Sequence, residues 1–404
     1  MWEGTGIGDP LIYWALRIIL LCSLVFCGWG ISYGKSQDYK KYSFIAVVFY
    51  SLIIGLRWMR GADYYHYYND IVTLFGQYAG LYGRGTITLE PEFLYDCWVT
   101  LFYYSGLPFW FAFVFYSAFL ISSFLLVLKH FKKIAIWALP LFFILTQTQA
   151  ENLVRQYIAI AFLLLSYNFY LEGKNYKMIF SLLTILLIHF SGLFIVVLFL
   201  FITYLKNVLD KLHNKIWLCI LLSIFIYTYF FWDVSYLTHL AEFIEKNISF
   251  GGEKGAIYTD NAERWFTNEG SISQIVNGTN LNVVSSLFLI IRFMTYFSII
   301  YLGYFVSNYD KRFYLPFYFS YFAIMMKNLG GDIEMFQRFY DWFIVLMPVL
   351  IGAYMSYLKI NKTIKLGLYS LYLLNFLWYS FLGSMLVTSL FGYGFIWDAN
   401  VELW

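Results

Sequence analysis

Charge is what this chain has least of. Of its 404 residues 13% are Asp, Glu, Lys or Arg, against 61% hydrophobic and 24% aromatic. That is too little polar surface to enclose so much apolar side chain in water, which excludes an ordinary soluble globule. Cysteine is scarce as well. Cys22, Cys27 and Cys219 fall in apolar runs and Cys97 stands alone, a spacing that excludes a disulfide framework or a cysteine metal site. The net charge of +3 is small and scattered, so no nucleic-acid surface is expected. A Walker loop, a dinucleotide fingerprint, HExxH and a Cys/His metal set are all missing. Neither a cofactor nor nucleotide-driven chemistry is expected.

What is present is a succession of apolar runs from Leu11 to Leu390, separated by short polar breaks. Each is about 20 residues long, the length that crosses a hydrocarbon layer. The fold class this implies is an all-α polytopic membrane protein with about 12 transmembrane or re-entrant helices, the whole chain 1–404 forming a single integral membrane domain. The first run, Leu11 to Tyr33, follows an acidic tail (Glu3, Asp9), lacks a basic leader and contains Arg17, so it reads as a retained span.

Orientation follows from lysine. Short lysine-bearing loops mark the cytoplasmic side, because basic residues resist translocation. Six qualify: Lys35/Lys40/Lys41, Lys129/Lys132/Lys133, Lys174/Lys177, Lys206/Lys211/Lys215, Lys311/Arg312 and Lys359/Lys362/Lys365. Placing all six inside requires an even number of crossings between neighbours. Only Met178 to Leu205 supplies a single run, so it is expected to be a short hairpin or re-entrant pair turning near His189 to Gly192; one tilted helix is the alternative. Three outer stretches follow, 57–106 with an interfacial helix, 232–281 as a large loop, and a short one from Asn328 to Arg338.

Sorted by this map, the basic residues separate by type. The inner loops hold fifteen Lys and one Arg; the outer half holds three Lys and eight Arg, namely Arg17, Arg57, Arg60, Arg84, Arg155, Arg264, Arg292 and Arg338. Lysine suffices to set orientation, whereas the planar guanidinium donates two parallel hydrogen bonds to a phosphate. Arg17 and Arg292 sit inside apolar runs, where a charge must be paired or bathed in a water-filled cavity. A cationic cavity opening outward is therefore expected, set against ordinary snorkelling and local pairing.

Four segments could carry chemistry. Gly55 to Tyr68 would, if helical, put Arg57 with Arg60, and Arg60 with Asp63, Tyr64 and Tyr67, on shared faces; an interfacial aromatic belt is the plainer reading. Glu90-Pro-Glu92 precedes an amphipathic stretch, Phe93 to Ser105, suited to lie in the interface. Glu151 to Gln156 opens a span from outside and sets Arg155 and Gln156 just within the membrane, and His189 with Ser191 occupies the expected outer turn. Finally, Gly330 to Asp341 joins two spans, with Glu334 and Arg338 at helical pairing distance and Asp341 following.

At these residues the chain resembles the Wzy-type O-antigen and polysaccharide polymerases, in particular the EpsG-like branch. The resemblance rests on Arg57 through Tyr68, on Leu153-Val-Arg155-Gln156-Tyr-Ile-Ala159, on Ile188-His189-Phe-Ser191 and on Arg338-Phe-Tyr340, and covers most of the chain from Tyr42 to Tyr357. It implies a metal-independent glycosyltransferase of GT-C-like architecture in the bacterial inner membrane. Such an enzyme moves a glycan from undecaprenyl diphosphate to the non-reducing end of a lipid-linked repeat unit at the periplasmic face. A separate chain-length regulator is the expected protein partner.

The expected catalytic set is Asp63, His189, Arg155 and Arg338, with Asp63 or His189 as base; the expected substrate-binding set is Arg57, Arg60, Tyr64, Tyr67, Glu92, Gln156, Arg292, Arg17 and Glu334. Within the same chemistry, an O-antigen ligase would share the arginine-rich outer side, and the size of 232–281 keeps that reading open. A lipid-linked oligosaccharide flippase would need a cationic cavity too, but the internal repeats expected of many transporters are not seen.

Overall fold

The computed structural model describes residues 9–61, 63–74, 92–233, 236, 282–330, 333–377 and 391–398. The chain forms two compact units, one of residues 1–201 with 376–404 and one of residues 202–375. It is a helical membrane protein. Among the described residues four helices are long and apolar enough to cross a bilayer, Pro10–Tyr33, Phe109–Asn152, Leu287–Tyr309 and Met335–Tyr357. Asn175–Ile188, Gly192–Tyr204 and Lys215–Phe230 are shorter apolar helices.

The first unit begins with α1 (Pro10–Tyr33). Asp9 caps it by accepting from the Leu11 N–H at 2.8 Å, and Pro10 occupies the first helical position, where its missing donor costs nothing. There follow α2 (Asp38–Gly55), β1 (Arg57–Arg60), α3 (Tyr64–Thr73), α4 (Phe93–Ser105), α5 (Phe109–Leu128), α6 (Ala135–Asn152), α7 (Val154–Leu171), α8 (Asn175–Ile188) and α9 (Gly192–Tyr204). Helix α1 packs on α2 and α6, α2 on α5, α5 on α7 and α7 on α8. The α2–α5 crossing depends on Gly55: a Cβ there would lie 2.5 Å from the Val114 Cα, so only a residue without one permits the approach.

The two ends of this bundle differ in chemistry. At one end the expected inner loops meet, with the Ser32 hydroxyl donating to the Lys132 carbonyl at 3.1 Å and the Lys132 ammonium to the Ser36 hydroxyl at 3.1 Å. At the other end stand β1, the close of α6 and the start of α7. Within the first unit, then, the lysines of these loops and the arginines Arg57, Arg60 and Arg155 stand at opposite ends of the bundle.

Three local features depart from the sequence reading. Arg57 to Arg60 is a strand, not a helix start. It pairs antiparallel with β2 (Phe391–Phe395), with Arg57 opposite Phe395 and Trp58 opposite Gly394. The register then slips before Arg60 meets Phe391, so two β2 residues, Gly392 and Tyr393, face Met59, a bulge of the kind glycine-rich strands accommodate. Second, Gly61 holds φ at +104°, and a Cβ there would lie 2.9 Å from the Asn152 Cα; the turn at glycine delays the helix to Tyr64. Third, the run from Met178 to Leu205 breaks at His189, as its length suggests, but α8 and α9 do not pack along each other as a hairpin.

The second unit contains α10 (Lys206–Leu212), α11 (Lys215–Phe230), α12 (Asn282–Tyr309), α13 (Tyr314–Gly330), α14 (Glu334–Ile344), α15 (Met347–Tyr357) and α16 (Lys362–Phe376). Asn214 caps α11 by accepting from the Trp217 N–H at 3.0 Å. Helix α13 packs along α14, and α12 lies against α13 and α15. The side chains of α15 from Met347 to Met355 are all buried, which makes it the centre of this unit. The stretch Phe93–Ser105 is helical, as α4; Arg84, Arg264 and most of 232–281 lie outside the described residues.

Candidate functional site

The arginines of the first unit are organised by Glu151, a residue in the last turn of α6. A carboxylate at a helix C-terminus opposes the helix dipole and needs cations nearby. It has them: Arg17 Nη2 bonds Glu151 Oε1, Arg60 Nε donates to Oε2 at 2.9 Å, and the Tyr13 hydroxyl reaches Oε2 at 3.4 Å. Side chains three apart leave a strand on opposite faces, and Arg57 accordingly takes a different route. Its Nη2 donates to the Glu151 carbonyl at 3.0 Å and its Nη1 to the Ile54 carbonyl at 2.8 Å. The Tyr13 ring lies 4.6 Å from the Arg17 guanidinium and 4.3 Å from that of Arg60. Arg57 rests against Tyr64 and Phe113. All three arginines and Glu151 are buried. Burial works against the Arg57 charge and lowers its pKa, with the Glu151 carboxylate opposing that shift.

This arrangement fixes the α6–α7 break. The Asp63 N–H donates to the Asn152 side chain at 3.1 Å, so β1 and the start of α3 are tied to the residue that follows Glu151. One residue further, Leu153 leaves helical geometry and α7 begins at Val154. Arg155 and Gln156 therefore sit in its first turn, Gln156 buried and Arg155 with 29% of its side chain exposed.

The second cluster gathers on Arg155. Glu92 Oε2 accepts from Arg155 Nη1 at 3.0 Å, while Glu92 Oε1 accepts from the Phe190 N–H at 3.3 Å and lies 3.8 Å from His189 Nδ1. The closer partner of His189 Nδ1 is the Ser191 hydroxyl at 2.9 Å, a hydrogen-bond distance where 3.8 Å is not. The Tyr95 ring lies 5.5 Å from the Arg155 guanidinium. Glu92 itself is left-handed, φ +83°, a conformation that costs a non-glycine residue about 1–3 kcal/mol and concentrates at functional positions. Its backbone strain is offset by three elements at once: α4, which it starts, α7 through Arg155, and the α8–α9 break through Phe190.

The residues expected from sequence are thus distributed as follows. Arg17, Arg57 and Arg60 come together, but around Glu151 in the interior. Glu92, Arg155 and His189 come together at a partly exposed edge, with Ser191. Tyr64 and Tyr67 lie in the interior: Tyr64 is fully buried, donates to the Arg57 carbonyl at 3.0 Å and stacks on Phe113, and Tyr67 packs on Tyr95. Asp63 is half-buried at the start of α3. Arg292 on α12 and Arg338 on α14 are half-buried and belong to the second unit, where buried Asp341 feels the charges of Lys327 and Arg338. Glu334 opens α14, its side chain lying outside what is described. Among the described residues no group of three His, Cys, Asp or Glu stands together to hold a metal.

Comparison with known proteins adds the family. The EpsG family profile matches residues 40–394. The chain belongs to the EpsG family. That membership is compatible with a polysaccharide polymerase role, and the match takes in β1, the Arg155 cluster, the Glu151 cluster apart from Tyr13 and Arg17, and nearly all of β2. No curated protein and no solved structure matches the chain.

Glu151 and Ser191 lie in segments that the sequence singled out, yet neither was assigned to the candidate site. The signal for Glu151 was available: several arginines at one membrane edge need a counter-charge, and a carboxylate four residues before Arg155 is placed to supply it.

Proposed function

We propose that this EpsG-family protein is a polysaccharide polymerase of the O-antigen type in the bacterial inner membrane. In this reading it transfers a glycan from undecaprenyl diphosphate to the non-reducing end of a lipid-linked repeat unit at the periplasmic face, without a metal ion. The observation that carries the reading is the Glu92–Arg155–His189 cluster: a partly exposed guanidinium, a backbone-strained carboxylate and an imidazole at one edge of a membrane bundle.

The reaction makes two demands. The bond from the anomeric carbon to the diphosphate oxygen breaks, and the departing undecaprenyl diphosphate takes the electron pair. The acceptor hydroxyl oxygen bonds that carbon, and its proton passes to a base. We assign Arg155 to the developing phosphate charge, because a guanidinium stabilises it through preplaced parallel donors; Arg338, in the second unit, is assigned by its own chemistry to phosphate. His189 is assigned to the proton, with Ser191 setting its ring orientation; Asp63 is the other group of suitable chemistry. Glu92 and Gln156 border the sugar, and Glu92 also holds Arg155 against the α8–α9 break. Arg17, Arg57 and Arg60 act behind this face as fixed positive charge, locked by Glu151. Arg292 and Glu334 are assigned to substrate in the second unit.

The test is a strain lacking the gene, complemented with variants and read as the surface-polysaccharide ladder. Arg155→Ala and His189→Ala, at normal protein level, are expected to leave single-repeat product. A full ladder from both variants removes the cluster from the active site. Complete loss of attached polysaccharide in the deletion strain, in place of a single repeat, would point to a ligase instead.

A further inference from the structure

Behind the Glu151 cluster, between α2, α5, α6 and α7, the packing leaves a cavity of about 20 Å³ whose lining includes Tyr50, Arg57, Tyr116, Ser117, Leu120 and Val154. That is room for one water-sized particle and too little for a phosphate or a carboxylate. Its polar lining residues are Arg57, Ser117 and the tyrosines Tyr50, Tyr116 and Tyr157, and no Asp or Glu is among them. Arg57 is the cation on this wall. It makes no ion pair among the described residues: two of its nitrogens are spent on the Ile54 and Glu151 carbonyls, and its buried Nε has no acceptor. The Tyr116 hydroxyl, equally buried on the same wall, has no hydrogen-bond partner.

Arg57 shares the field of one carboxylate, Glu151, with Arg17 and Arg60, which are ion-paired to it, so three buried guanidinia face a single negative charge. A water in the cavity would satisfy the two donors but bring no charge. A single atomic anion accepts from every donor at once and supplies the charge.

We propose that this cavity is a binding site for one chloride-sized monovalent anion, held by the Arg57 Nε–H and the Tyr116 hydroxyl with the hydroxyl-bearing wall around them. The site is separate from the Arg155 cluster and goes beyond the polymerase reading. An anion here stabilises the junction of β1 with α6 and α7 rather than taking part in glycan transfer.

Two measurements test it on the purified full chain. Crystals grown in sodium bromide should give an anomalous bromine peak within hydrogen-bond distance of Arg57 and Tyr116. In parallel, thermal stability should rise saturably with chloride or bromide, and not with gluconate, at constant ionic strength. Because Arg57→Gln also removes two carbonyl contacts, the discriminating variant is Tyr116→Phe, which keeps the packing and should raise the half-saturating chloride concentration about tenfold, the effect of losing one hydrogen bond to a charged group. Water-like density without an anomalous peak, together with equal stability in chloride and gluconate, overturns the proposal.

Discussion

Replacing Glu151 by Gln removes the one carboxylate that Arg17 and Arg60 share while keeping the side chain's shape. The magnitude follows from the geometry. The side chains of Arg17, Arg60 and Glu151 are 0%, 1% and 2% exposed, so neither arginine can turn to water when the charge is gone. Breaking a buried pair by removing one partner costs about 3–5 kcal/mol. At about 2–4 °C per kcal/mol for a unit of this size, Tm should fall by roughly 6–20 °C. Cys27, buried on the same helix as Arg17, offers the readout: with Cys22, Cys97 and Cys219 changed to Ser, labelling of Cys27 by a thiol-reactive dye on heating reports release of α1. Arg17→Met added to Glu151→Gln takes away one of the two stranded charges, so the double variant should recover part of the loss. A Glu151→Gln protein that melts with its parent, or a double variant that loses the sum of the two single effects, refutes the claim that Glu151 anchors the buried arginines.

Other predictions follow from the same contacts. Arg155→Lys should keep a reduced ladder where Arg155→Ala keeps none, since lysine preserves the charge but not the fork; equal ladders would remove the guanidinium geometry from the argument. Phe395→Ala, which empties a buried site against Tyr13 and Trp397, should lower stability by about 3–5 kcal/mol in the Cys27 assay; no change would mean that β2 does not hold β1. Gly55→Leu should abolish stable expression by forcing α2 off α5, and normal levels would contradict the close crossing. Cysteine placed at exposed Trp397 should be labelled from the periplasm and cysteine at exposed Lys133 only after permeabilisation; the reverse pattern would invert the topology.

Much of this architecture was legible because it rests on local rules. Scarce charge and long apolar runs announced a helical membrane protein, and lysine and arginine separated the ends of the first unit before any contact was known. Helix α4 covers the stretch Phe93 to Ser105 that follows Glu90-Pro-Glu92, since a proline-preceded acidic start is a local signal. The break at His189 was legible from the lysine-bearing loops on either side of a run too short for two full crossings, though one tilted helix fitted the same run. What was not legible depends on residues distant in sequence. The strand at Arg57–Arg60 exists because β2, more than three hundred residues later, supplies its partner. Spacing in a helix put Arg60 beside Asp63, whereas the fold pairs it with Glu151. Tyr64 and Tyr67 have the composition of a sugar platform, yet tertiary packing buries both. Pairing of Glu92 with Arg155 needs α4, α7 and the α8–α9 break to converge, which no periodicity encodes.

The central claim is that the Arg155 edge of the first unit is where a glycan leaves its lipid diphosphate. It is tested most directly by incubating purified protein in lipid, with chelator present, with a defined undecaprenyl diphosphate-linked repeat unit, and resolving the products by gel. The account predicts a ladder of multiples of the repeat from the parent protein and none from Arg155→Ala folded to the same Tm. Failure of the parent to extend the unit, or a full ladder from Arg155→Ala, would contradict it.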